Sequence, residues 1–180
     1  GLRGRSVSGE AALDPTAIAT RLARGTQERD GYFALRRAIF CEEQGLFAGD
    51  DRDEHDDGAY PIVSVDESHD RVVGVVRIWE TEPGLWWGGR LGVAADCRAA
   101  AVVGRRLVQT AVGTARAWGA TRFLATVQRA NVPFFRRLRW RTLETITLLG
   151  QPHDLMEADL AHYAPTAEVR PARAPERHAA

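Results

Sequence analysis

The chain has 180 residues, of which 44% are hydrophobic, enough to fill the core of one domain. Its 24 basic residues, all arginine, balance 24 acidic ones, so charge offers no case for a nucleic-acid or anionic-membrane partner. The two cysteines are too few for a disulfide scaffold, and no metal-type Cys/His spacing occurs. No apolar run approaches the roughly 20 residues of a membrane span, and no signal-peptide pattern opens the sequence. These features predict a soluble, cytoplasmic domain in a reducing setting, with no metal.

In chain order, residues 1–10 are Gly/Ser/Arg-rich and read as a flexible N-terminus. Residues 11–24 carry a short helical pattern through Ile18 and Leu22, started by Asp14–Pro15. Residues 30–43 predict a better helix, with Tyr32, Leu35 and Ile39 on one face, Asp30 at the N-cap and Gly45 as the stop. The acidic stretch Asp50–Asp57 fails as an EF-hand, lacking glycine at its sixth position and glutamate at its twelfth. It reads as a solvated loop, or else as an acidic rim that recognises an amine-bearing substrate.

Strands are expected at Pro61–Val65 and Arg71–Trp79, joined by a turn at Asp66–Asp70, with Gly74 a weakening or a bulge. Pro83–Gly84 turns the chain into a strand over Leu85–Val93. Trp86 and Trp87 fall on its opposite faces, so one belongs to the core and the other to a surface or cleft. A turn carrying Arg98 then opens a helix whose buried face is Val103, Leu107, Ala111, Ala115 and Trp118. A helix start exposes unpaired N–H groups and the positive end of its dipole, and Gly104 permits close backbone approach. With Arg98, Arg105 and Arg106 beside it, this turn suits a pyrophosphate. Gly119 ends the helix, and Arg122–Val127 predicts a strand parallel to Leu91–Val93 with the helix as crossover. Asn131 is the expected N-cap of a short Phe/Arg helix. Strands at Leu143–Leu148 and His153–Leu160 follow, and residues 164–180 read as a Pro/Ala/Arg-rich disordered tail.

The sequence strand, R-x5-G-R-R-L turn, helix, strand, Asn, F-F-R-R-L-R-W resembles the acyl-CoA-binding core of the GNAT acyltransferases. The blocks L-R-R-x-I-F-C-x-E-Q-G-L-F, D-R-D-x-x-D, GGRLGV and G-Q-P-H-D-L-M resemble a bacterial subgroup, the nitrogen-starvation N-acetyltransferases, over about residues 30–163. The resemblance implies one α/β (α+β) domain over residues 11–163, with a mixed, mostly antiparallel sheet of about seven strands and flanking helices. It also implies a splayed parallel strand pair whose exposed backbone holds the pantetheine arm of acetyl-CoA or another acyl-CoA. The implied cofactor contacts are Leu91, Gly92, Val93, Arg98, Val103, Gly104, Arg105, Arg106, Asn131 and Phe135. Two departures stand out. Ala101 replaces the first glycine of the family's turn, which is also one residue longer, and Phe135 stands where the family often has a thiolate-protonating tyrosine.

Acyl transfer to an amine needs a positioned thioester with a polarised carbonyl, a base for the amine and a proton for the thiolate. Glu80, Glu43 and His153 are the candidate bases; Glu80 and His153 rank together, and His153 has the ordinary pKa closest to neutrality. Water, Cys41 or Tyr60 remain open as the proton source. The leading expectation is an N-acetyltransferase acting on a small-molecule amine, with a homodimer left open. The alternative is a non-catalytic acyl-CoA sensor. A third, acyl-homoserine-lactone-type synthesis, requires a longer acyl pocket that the sequence does not establish.

Overall fold

A computed structural model describes residues 13–99 and 101–173; the expected flexible stretch 1–10 lies outside them. Seven strands form one sheet: β1 (Ile18–Leu22), β2 (Tyr60–Asp66), β3 (Arg71–Glu82), β4 (Leu85–Val93), β5 (Arg122–Gln128), β6 (Trp140–Leu148) and β7 (Gln151–Ala158). Their spatial order is β1-β2-β3-β4-β5-β7-β6, and β4–β5 is the parallel pair. The helices are α1 (Gly25–Arg36), α2 (Val102–Ala117) and α3 (Val132–Arg137).

The predicted helix over 11–24 is not formed in its described part. Asp14 accepts from the Thr16 N–H and caps a single 3-10 turn, Pro15–Ala17. Ile18–Leu22 then pairs with Asp66–Ile62 as an edge strand, and the Thr20 and Ser64 hydroxyls meet at 2.8 Å. Pairing with β2 outweighs a weak local helical pattern, since isolated short helices are marginal. The second predicted helix starts at Gly25 rather than Asp30, with the Glu28 carboxylate accepting from the Arg24 N–H at 3.1 Å. It ends in a π-helical stretch, Arg37–Glu43, and Gly45 at φ +63° closes it.

Period-two alternation divides the core between the two faces of the sheet. Ile62, Val76, Ile78 and Trp86 face α2 with its Val103, Leu107, Ala111 and Ala115. Val63, Val65 and Val75 face Tyr32 of α1. Trp86 is fully buried, whereas Trp87 is half-buried.

The acidic stretch is not a solvated loop. Asp51 is 1% exposed, and its carboxylate accepts from Nε of the fully buried Arg36 at 2.7 Å. Asp56 accepts from Arg36 at 2.6 Å, and Asp53 takes both Nη atoms of Arg77 at 2.6 and 2.8 Å. Arg90 completes the cluster through Asp51 at 3.0 Å. Three arginines thus neutralise three aspartates between α1 and the sheet, the condition under which charges tolerate burial.

The beginning of the predicted tail is docked. Thr166 N–H donates to the Gly113 carbonyl, and Trp118 Nε1 donates to the Glu168 carbonyl at 2.8 Å. Arg170 lies over the rings of Trp86 and Trp118. Gly113 is required there, because a Cβ would sit 2.4 Å from the Ala164 carbonyl oxygen. Composition alone hid these contacts, since they are made by backbone groups and arginine stems rather than apolar side chains. Residues 174–180 lie outside the described residues.

Candidate active site

Strands β4 and β5 pair over only four positions, from Leu85↔Arg122 to Gly88↔Ala125. Both continue beyond, β4 to Val93 and β5 to Gln128, so their facing edges part and leave backbone groups unpaired. On its other edge β4 carries a bulge: Arg77↔Gly89 and Val75↔Gly92 leave Arg90 and Leu91 opposite Val76 alone. Arg90 adopts φ +54° there, a conformation that costs a non-glycine residue about 1 kcal/mol or more. Its side chain is clamped by the Asp51 carboxylate and, at 2.8 Å, by the Asp51 carbonyl. The ion cluster therefore fixes the bulge. Burial and the neighbouring Arg77 pull Arg90 below its ordinary pKa, but a guanidinium stays charged.

A cavity of about 770 Å³ passes through the splay. One limb lies on the α2 side of the sheet, among Val108, Ala111, Val112, Phe123, Phe135 and Trp140. The other lies on the α1 side, among Phe40, Phe47, His55, Trp79, Trp87 and His153. Leu91, Asn131, Phe135 and His153, all expected at the site, line it together.

His153 is 8% exposed, and its Nδ1 lies 2.9 Å from the Gln151 carbonyl. A carbonyl only accepts, so Nδ1 carries the proton of the neutral ring and Nε2 is left as a base. His55 stacks on Trp79 at 4.7 Å and 21°; with Asp53, Arg77 and Trp79 it forms a wall that sequence reasoning missed. The acidic-rim alternative covered Asp53 and His55 but not their partners on β3, although alternation places Arg77 and Trp79 on one face of that strand. Burial alone would raise Asp53 and Asp56, but hydrogen bonds from Arg77 and Arg36 outweigh it and hold both below the ordinary carboxylate range.

The start of α2 has no side-chain cap, leaving its first N–H groups without a side-chain partner. Arg105 N–H already bonds the Ala101 carbonyl at 3.0 Å. Its guanidinium is exposed and makes no hydrogen bond among the described residues. Val103 is fully buried, so only its backbone can meet a ligand. Gly104 passes beneath Phe134, whose ring edge would lie 3.4 Å from a Cβ.

Other expected contacts are used elsewhere. Arg106 donates to the Pro15 carbonyl at 2.7 Å, tying α2 to the 3-10 turn that leads into β1. Arg98 donates to the Val93 carbonyl at 2.8 Å and forks onto Glu43, holding that carboxyl below its ordinary value. Gly92 abuts Ile39, which a Cβ would meet at 2.7 Å. Gly92 and Val93 lie outside the cavity lining, where Gly89, Arg90 and Leu91 stand instead. Asn131 occupies the N-cap position of α3 but makes no capping bond, because its backbone is already near-helical at φ −95°, ψ −6°.

Glu80 is not in the cavity wall. Its carboxylate accepts from the Gly84 N–H at 2.9 Å and from Arg170 at 3.0 Å, which together hold it below its ordinary pKa. It braces the β3–β4 turn. Tyr60 OH accepts from Arg170 and Arg173, and neither it nor Cys41 reaches the cavity.

Solved structures share this architecture. A proposed N-acetyltransferase from Lactobacillus plantarum superposes with TM-score 0.72 at 22% identity, covering 80% of this chain and 99% of that one. Escherichia coli ElaA gives 0.68 at 22% identity, covering 79% and 99%. A CoA-dependent acyl-homoserine lactone synthase, BjaI, solved with SAM and isopentyl-CoA, gives 0.64 at 18% identity, covering 80% and 83%. No match was found among curated proteins. The acetyltransferase (GNAT) family model matches residues 27–139, from α1 to the end of α3. With the splayed pair and the uncapped helix inside that span, the chain belongs to the GNAT acetyltransferase family.

Proposed function

We propose that this domain is an acyl-CoA-dependent N-acyltransferase that moves an acyl group, acetyl being the simplest, to the amine of a small molecule. The observation that carries this reading is the cavity through the β4–β5 splay, with unpaired backbone on its rim and a base in its wall. The pantetheine arm of the donor lies along the rim at Gly89–Leu91. Its pyrophosphate meets the first N–H groups of α2 and the Arg105 guanidinium, where the helix dipole favours negative charge. The resemblance to the nitrogen-starvation N-acetyltransferases belongs to the same proposal. The free cysteines Cys41 and Cys97 fit a reducing, cytoplasmic setting.

The acceptor enters from the α1 side. His153 Nε2 takes a proton from the ammonium or from the attacking nitrogen, the nitrogen adds to the thioester carbonyl carbon, and the C–S bond breaks. The thiolate leaves and takes its proton from His153 or water. A bulge sets one residue outside the ladder, and a backbone N–H freed there polarises the carbonyl.

The test is release of free thiol from acetyl-CoA across an amine panel, with wild type beside His153→Gln. Amine-dependent release that the substitution reduces supports the proposal. CoA-thioester binding without thiol release from acetyl-CoA or hexanoyl-CoA, whichever amine of the panel is present, overturns it in favour of a sensor.

A further inference from the structure

The α2-side limb of the cavity does not serve the acceptor. It lies on the opposite face of the sheet from His153, His55 and Trp79, and no charged side chain lines it. Val108, Ala111 and Val112 occupy one turn of α2. Across from them, Phe123 and Phe135 both meet Trp140 edge to face, with centroids 5.7 and 5.1 Å apart. Trp140 is held in place by its Nε1 hydrogen bond to Tyr163 OH at 2.9 Å. The rigid aromatic wall does not collapse into the space. Small side chains keep it open: Ala111 on α2 and Ala125 on β5 are both buried and both line it.

Protein interiors are close-packed, and an unfilled apolar void forfeits contacts that a filled one would make. Such cavities stay dry and take apolar ligands. This one opens at the splay, next to the rim where the thioester would lie. From Val127 to Phe123 its β5 wall runs roughly 13 Å at the usual strand rise, far beyond the reach of one methyl group. We propose that this hollow is an acyl-chain subsite, so that the donor carries a medium-length apolar acyl chain rather than acetyl. The inference rests on the donor reading above and adds the class of acyl group.

Calorimetric titration of the full chain with CoA, acetyl-CoA and hexanoyl-CoA, without amine, tests it. Each methylene fully buried should tighten binding about fourfold, so hexanoyl-CoA is expected to bind at least tenfold more tightly than acetyl-CoA. Ala111→Leu and Ala125→Leu, filling the hollow from opposite walls, should each bring that ratio close to one, with CoA binding reporting that the variant is folded. Equal affinities for hexanoyl- and acetyl-CoA in the wild type overturn the subsite while leaving the donor reading intact. So does a preference for hexanoyl that neither variant reduces, since the chain would then lie elsewhere. Failure of the wild type to bind CoA or either thioester removes the donor reading and the subsite together.

Discussion

The α2-side wall of the cavity is made of Val108, Ala111, Val112, Phe123 and Trp140, whereas the α1-side wall leans on Arg36, Arg77 and Arg90 with their aspartates. Apolar contacts are individually small and non-directional, so the first wall can accept chains of differing length with modest loss. Buried ion pairs depend on geometry, and one lost partner leaves a desolvated charge. The second wall is therefore the rigid one, and what it holds rigid is Arg90 at the bulge beside the β4–β5 splay. Under the proposed function, adaptable shape sits on the donor side and fixed positioning on the side where bonds change.

The largest expected effect is chemical. His153→Gln should lower kcat about 100- to 10,000-fold, the usual contribution of a general base, with the fold intact by circular dichroism. Next, Asp51→Ala takes away the carboxylate that the buried Arg36 shares with Arg90, leaving Arg36 with Asp56 alone, and should cost about 3 kcal/mol in denaturant unfolding. On the apolar wall, Trp140→Phe removes the hydrogen bond to Tyr163 and part of the ring packed on Phe123 and Phe135, and should cost about 1–2 kcal/mol. If the two substitutions cost the same, the contrast between the walls fails.

Arg105→Glu should weaken CoA binding about tenfold, a 1.4 kcal/mol change, and the loss should shrink as salt rises. The acid response discriminates further. Asp53 and Asp56 have folded pKa values below their unfolded ones, so their stabilisation is complete above the unfolded value of about 4 and fades as pH falls towards the folded values. Asp56→Asn should flatten the stability profile below that pH. Glu80→Gln is the smallest effect, about 0.5–1.5 kcal/mol of stability with kcat within twofold.

Much of the frame was readable residue by residue. The apolar face of α2 from Val103 to Ala115, the Leu85–Val93 strand and the parallel strand at Arg122 follow from periodicity and turn residues, and the structure reproduces them. Trp86 and Trp87 separate as alternation requires. Where local pattern was weak, as at Ile18–Leu22, pairing with a neighbouring strand decided the outcome.

The site divided along the same line. Sequence placed Leu91, Asn131, Phe135 and His153 on elements that converge, because strand ends and helix starts can be located from the chain alone. It could not say which charges find each other across long separations. Arg36 with Asp51, Arg98 with Glu43 and Glu80 with Arg170 are partnerships of this kind, and each converts an apparent surface charge into a structural one. Nor could it show the hollow. A void is the difference between a space that the backbone defines and the side chains that fill it, so Ala111 and Ala125 acquire meaning only when β5, α2 and Trp140 surround them. The amino-acid sequence by itself determined the order of elements from α1 onward and the family. Tertiary structure alone decided which charges are buried, where the strands part and what shape of ligand the opening admits, because those depend on contacts between residues far apart in the chain.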